Sequence, residues 1–103
     1  MQATIVTESG NVVMRVSGTL AFEDNKEWRA LAEGMLQTDA SRHILDVTGL
    51  EMVDSAGLGM MLAMQQWAET QGRKLLLRYN DSSVVGSMFR LAKFDTMFEV
   101  DQN

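Results

Sequence analysis

The sequence predicts an α/β fold: a mostly parallel sheet that begins with a β-hairpin and has helices between its later strands. Three observations predict it. Two β-branched runs, Ile5-Val6-Thr7 and Val12-Val13-Met14-Arg15-Val16, flank the turn-forming Ser9-Gly10-Asn11. Short apolar runs then alternate with helix-forming stretches, an order that calls for crossover connections. Finally, the chain has 103 residues, with 46% in the apolar set and 22% charged. That suits one domain over residues 1–103, too apolar for a disordered chain and too short for a two-domain enzyme.

Each element follows in order. Gly18 closes the second strand of the hairpin. From Phe22 to Gln37, the residues Phe22, Trp28, Leu31, Ala32, Met35 and Leu36 recur at three- and four-residue steps, which is one face of a helix. Asp39-Ala40-Ser41 breaks it. Ile44-Leu45-Asp46-Val47 alternates little, as a central strand under helices should, and Thr48 to Val53 is expected to be the loop after it. Asp54-Ser55 offers two N-cap side chains ahead of a helix over Ala56 to Gln71, which Gly72 terminates at C′. Lys74 to Tyr79 is a strand, and Asn80-Asp81-Ser82-Ser83 a turn that caps a helix over Val84 to Lys93. Phe94 to Val100 is expected to return as the last strand, giving β-β-α-β-α-β-α-β.

Charge and composition exclude several functions. Nine Lys and Arg against fourteen Asp and Glu leave a net charge of −5, which repels phosphate backbones and anionic lipid, so no nucleic acid is expected as a partner. The absence of Cys removes disulfides and thiolate metal sites. Met1-Gln2-Ala3-Thr4 has no basic stretch followed by an apolar run, and no segment approaches the ~18 apolar residues of a membrane span. No membrane insertion and a cytoplasmic location are expected. Nine Met residues serve either as core filler or as an adaptable binding surface.

Catalytic parts are wanting. His43 is the only His, beside Arg42, with neither Cys nor a second His to build a nucleophile pair or metal site. Gly57-Leu58-Gly59 lacks the Lys of a phosphate loop, and Leu62 stands where a dinucleotide fingerprint needs Gly. Asp46, Glu51 and Asp54 lack a carbonyl-rich loop and suit capping or solvation better than a hard cation. The expectation is a chain that is not an enzyme and has no cofactor and no metal.

Val53-Asp54-Ser55-Ala56-Gly57-Leu58 is the informative segment. A hydroxyl on the first turn of a helix, at the carboxyl end of a central strand, is open to a partner and ringed by free backbone N–H groups. A phosphate there meets the positive end of the helix dipole, so modification would spare the fold. Beside Asp54 and Glu51 it would make the surface strongly anionic, which suits a docking switch. Equally, Ser55 could serve as an N-cap alone. At ~100° per residue, Met60, Met61, Met64, Trp67 and Ala68 share one broad face suited to a core. Leu58 and Leu62 fall on another side near Ser55, as a small docking patch or as a first turn buried under the next loop.

Four segments together resemble the STAS domain of the anti-sigma factor antagonist family over essentially the whole chain. They are Val16-Ser17-Gly18-Thr19-Leu20, Ile44-Leu45-Asp46-Val47 with Val53 to Gly59, Gly72-Arg73-Lys74-Leu75, and Val85 through Phe98. The resemblance implies the STAS fold and a phosphorylation-controlled switch of partners. The unphosphorylated protein would bind an anti-sigma factor that is also a serine kinase, freeing a sigma factor, and a serine phosphatase would restore that form. The acceptor carried over is Ser55, on a partner-binding surface of Asp54, Ser55, Ala56, Gly57, Leu58 and Leu62. Gly57 and Gly59 would allow close backbone approach. Two departures stand out. Ala21 replaces an acidic residue common in the family, for which Asp24 could substitute, and Ala56 replaces a second hydroxyl. The alternatives are a STAS scaffolding subunit of a lipid-transport ABC complex and a nucleotide-sensing STAS module.

Overall fold

In the computed structural model, which describes residues 1–101, the β-branched runs pair as expected. Strand β1 (Gln2–Glu8) lies antiparallel to β2 (Asn11–Leu20) across a two-residue turn. Ser9 and Gly10 both take positive φ there, 52° and 83°, the conformation that matches hairpin twist. Strands β3 (Arg42–Val53), β4 (Leu75–Arg78) and β5 (Glu99–Val100) add in parallel, so the sheet runs β1-β2-β3-β4-β5 in chain order. A 3₁₀ turn (Phe22–Asp24) leads into α1 (Asn25–Gln37). The other helices are α2 (Ser55–Thr70), α3 (Val84–Leu91) and the single turn α4 (Phe94–Met97).

Pleat parity decides where the core sits. Val12, Met14 and Val16 of β2, Leu45 and Val47 of β3, and Leu75 and Leu77 of β4 point to the face covered by the helices. Trp28, Ala32, Met35 and Leu36 of α1, Met61, Met64 and Ala68 of α2, and Phe89 of α3 fill the space above them. Phe89 stacks on Phe94 with ring centroids 5.0 Å apart, and Phe94 continues to Phe98 at 5.4 Å.

The opposite face has no helix in its cluster. Val6, Val13, Ile44 and Leu76 form one apolar stripe across four strands, and long side chains two residues away on the same face, Arg15, Arg42 and Arg78, can roof it with their stems. Their heads join an alternating ladder. Glu8 pairs with Arg15, Arg15 Nε stands 3.9 Å from Asp46, and Arg78 reaches Asp46 at 3.6 Å and Asp101 at 2.8 Å, while Arg42 meets Asp101 at 3.1 Å. The hydrogen bond to Asp101 raises the Arg78 guanidinium above its ordinary pKa, against an opposing desolvation.

Three expectations are corrected. Thr48 to Val53 is not a loop but the second half of β3, paired with Ser17 to Leu20 through register shifts between Arg15 and Ser17 and between Gly18 and Thr19. Gly18, at φ 80°, makes that irregularity possible. Phe94 to Val100 is not one strand: Phe94–Met97 is helical after Lys93 turns at φ 63°, and only Glu99–Val100 pairs with β4. Phe22 belongs to the 3₁₀ turn and is 67% exposed instead of sharing the buried face of α1.

Candidate functional site

Asp54 is extended at the end of β3 (φ −89°, ψ 177°) and caps α2, its Oδ1 accepting the Gly57 N–H at 2.7 Å. Its own N–H donates to the Leu20 carbonyl at 3.1 Å, and its Oδ2 accepts the Phe22 N–H at 3.4 Å. The carboxylate thus ties the ends of β2 and β3 to the start of α2. Of the two candidate caps, Asp54 takes the role, which leaves Ser55 as the first helical residue. Ser55 is exposed, and among the described residues its hydroxyl makes no hydrogen bond. The N–H groups of Ser55 and Ala56 precede the first helical bond, Leu58 N–H to Asp54 O at 3.0 Å, and point out of the helix start.

Gly57 is demanded by packing. A Cβ there would lie 2.6 Å from the Leu20 carbonyl oxygen and 2.6 Å from Val53 Cγ2, so α2 can approach the sheet only with glycine at this place. Gly59 differs: a Cβ on it meets nothing within 4 Å, so no packing within the chain requires glycine there. Helix α3 repeats the first device, with Ser83 Oγ accepting the Gly86 N–H at 2.9 Å and Gly86 pressed against the Asn80 carbonyl. Ser83 is the cap of that helix as expected, whereas Ser82 bonds Asn80 Oδ1 in the preceding turn.

Around Ser55 the structure gathers Asp54, Ala56, Gly57 and Leu58 on one turn, with Leu62 a turn further along. Leu58 and Leu62 are half-buried against the core, so they border the site more than they project from it. Met60, Met61, Met64 and Ala68 are core as expected, while Trp67 is only half-buried. Sequence reasoning missed Phe22, whose N–H bonds Asp54 and whose exposed ring lies beside the segment. The signal was available: Asp24 Oδ2 accepts the Ala21 N–H at 2.9 Å, a local turn that takes Phe22 off the helix face. Asp24 is therefore committed to its own loop.

The remaining polar candidates are occupied elsewhere. His43 is buried with Nε2 2.8 Å from the Thr38 carbonyl, and since a carbonyl only accepts, Nε2 carries the proton. Asp46 accepts from the Thr48 N–H and hydroxyl at 3.0 and 2.7 Å on the face with the charge ladder, remote in role from the Asp54 cap. Among the described residues no three His, Cys, Asp or Glu side chains converge as a metal site. No helix among them is long and apolar enough to cross a membrane.

A five-stranded, mostly parallel sheet with helices between strands, and an exposed serine opening an Asp-capped helix at the carboxyl end of its central strand, is the architecture of a STAS-like protein. The family model described as "Mlab, STAS domain" matches residues 4–99, and the chain belongs to this STAS domain family. Solved structures share the fold. SpoIIAA, an anti-sigma factor antagonist, matches in its unphosphorylated form at 19% identity and TM-score 0.69, covering 99% of this chain and 89% of that one. Its phosphorylated form, described as a Bacillus cell fate determinant, matches with the same TM-score of 0.69. An anti-sigma factor antagonist from Mycobacterium paratuberculosis reaches a TM-score of 0.76 at 14% identity, over 99% and 86% of the two chains. A sulfate transporter family protein from Wolinella succinogenes matches at 0.70 and 18% identity, over 92% and 79%.

Proposed function

We propose that this chain is an anti-sigma factor antagonist whose partner is set by phosphorylation of Ser55. Unphosphorylated, it binds an anti-sigma factor that is also a serine kinase and so releases a sigma factor; a serine phosphatase returns the modified form to that state. The observation that supports this reading best is the division of labour at the helix start. Asp54 bears the cap, so the Ser55 hydroxyl is exposed and, among the described residues, unbonded, and can be modified without loss of a structural bond. A phosphate on it stays at the N-terminus of α2, where the dipole favours negative charge, while the surface formed by Asp54, Ala56, Gly57, Leu58 and Leu62 turns anionic. That SpoIIAA matches equally well in both its forms agrees with a switch of surface and not of fold. The chemistry of phosphoryl transfer belongs to the kinase, and the chain itself needs no catalytic group or cofactor.

A second reading, a STAS scaffolding subunit on a lipid-transport ABC complex, is favoured by the likeness to a sulfate transporter family protein. Affinity capture from an extract of the native host, with wild type, Ser55→Ala and Ser55→Asp as baits and mass spectrometry of what is bound, separates the two. An ATP-dependent serine kinase held by wild type and Ser55→Ala but lost by Ser55→Asp supports the switch. A transporter ATPase held by all three supports the scaffold and sinks the switch. Saturable binding of GTP or ATP by the isolated chain would point instead to nucleotide sensing.

A further inference from the structure

Helices α1 and α2 do not close completely on one another. Between them lies a cleft of about 560 Å³, within the ~300–1,000 Å³ of small-molecule sites. Trp28, Met60, Met64 and Trp67 form its apolar lining, and Gly59 and Ala63 leave space along α2. The open room where a Gly59 Cβ would stand is part of the same feature.

The polar groups of the lining are one-sided. It contains Arg29 and Asn25 and no Asp or Glu, in a chain of net charge −5. Among the described residues, neither the Arg29 guanidinium nor the Asn25 amide has an ion pair or hydrogen bond. Trp28 is only 2% exposed, and its Nε1 is buried with no acceptor among the described residues. An N–H buried without a partner is unfavourable. Met60 and Met64, whose unbranched side chains adapt at little cost, are the residues able to give way for it. Free donors over an apolar floor are complementary to an acid with an apolar body.

We propose that the cleft between α1 and α2 binds a single-chain acidic amphiphile, a carboxylate or phosphate monoester on an alkyl tail. The tail lies along Met60, Met64 and Trp67, and the head takes the hydrogen bonds that Arg29 and Asn25 leave free. Ser55 has no part in it, so this site stands or falls separately from the switch.

Both tryptophans of the chain line this cleft, so intrinsic fluorescence reads its occupancy directly. The purified chain is titrated with dodecanoate, dodecyl phosphate and dodecyltrimethylammonium, each below its micelle concentration, with calorimetry for stoichiometry. One-to-one saturable binding of one or both anions is expected, and which of the two binds identifies the head group. The cation should bind at least about tenfold more weakly, and Arg29→Gln should weaken anion binding about tenfold, the usual scale of one charge-assisted hydrogen bond. Gly59→Leu fills the open space while improving helix propensity, so it should abolish binding with no fall in unfolding midpoint. Ser55→Ala should bind as wild type does. Absence of saturable anion binding, equal binding of the cation, or undiminished binding by folded Gly59→Leu would overturn the proposal.

Discussion

The α-carbon of Gly57 is set so close to Leu20 that a methyl group added to it would stand 2.6 Å from the Leu20 carbonyl oxygen. Backbone cannot yield as a side-chain tip does, so Gly57→Ala must shift the whole start of α2. We expect a loss of about 1–3 kcal/mol, the range of overpacked sites. Gly59→Ala, two residues on and facing open space, should instead gain up to ~1 kcal/mol from helix propensity. Urea unfolding of the two variants checks the contrast; equal effects would refute the packing argument.

Asp54 and Ser55 should behave as opposites. Asp54→Ala removes the acceptor for Gly57 N–H and the tie to Phe22, and should cost about 1–2 kcal/mol. Ser55→Ala removes no bond and should stay within about 0.5 kcal/mol of wild type. Ser55→Asp places a charge at the positive end of α2 and should be neutral or gain about 0.3–1 kcal/mol. Thermal melts of the three variants test this. An unfolded Ser55→Ala protein would show that the hydroxyl is structural after all.

The Arg78 guanidinium holds two carboxylates, and the Asp101 side chain is only 3% exposed. Truncation to Arg78→Ala takes from Asp101 its 2.8 Å ion pair and leaves Asp46 with Arg15 at the longer distance. Removing one partner of a buried pair typically costs ~3–5 kcal/mol; partial exposure of Arg78 and the remaining Arg42 reduce this to about 2–3 kcal/mol. Denaturant titration measures the loss, and a value near zero would mean that the ladder is ornamental.

Tyr79 supplies a pH dependence. Burial, and then the nearby carboxylates Asp81 and Asp95, raise its hydroxyl above the ordinary value of 10.0. An acid whose folded pKa is raised favours folding while it stays protonated. The stabilisation is therefore complete below pH 10 and is lost as pH climbs through the folded value, because the unfolded chain ionises first. Tyr79 is the only tyrosine of the chain, so its phenolate absorbance titrates without overlap. Tyr79→Phe should flatten the decline in stability above pH 10, and an unchanged slope would refute the assignment.

Much of the fold was legible because pattern and local chemistry agreed. The hairpin turn, the face of α1, the capped start of α2 and its stop at Gly72 with φ 71° all follow from residue types alone. The second half of β3 was not legible. Its inward residues Val47, Leu50 and Val53 recur every third position, because the irregular pairing against Gly18 breaks the two-residue period on which strand recognition depends. Phe94 and Phe98 are four apart, a helical spacing, and stacking of Phe94 on Phe89 favours the turn of α4. At the site, Ser55 and Asp54 could be named from the sequence, while their roles were separated only by the Gly57 bond. The cleft could not be foreseen, since it depends on how far apart α1 and α2 settle.

The ladder across the uncovered face of the sheet has a consequence for how the molecule is approached. It uses three of the nine basic side chains and three of the fourteen acidic ones. That wall is therefore electrically balanced, and the whole surplus of five negative charges resides on the helices, loops and strand ends. A cationic partner diffusing toward the protein is steered away from that face of the sheet and toward the rest of the surface, before any specific contact forms.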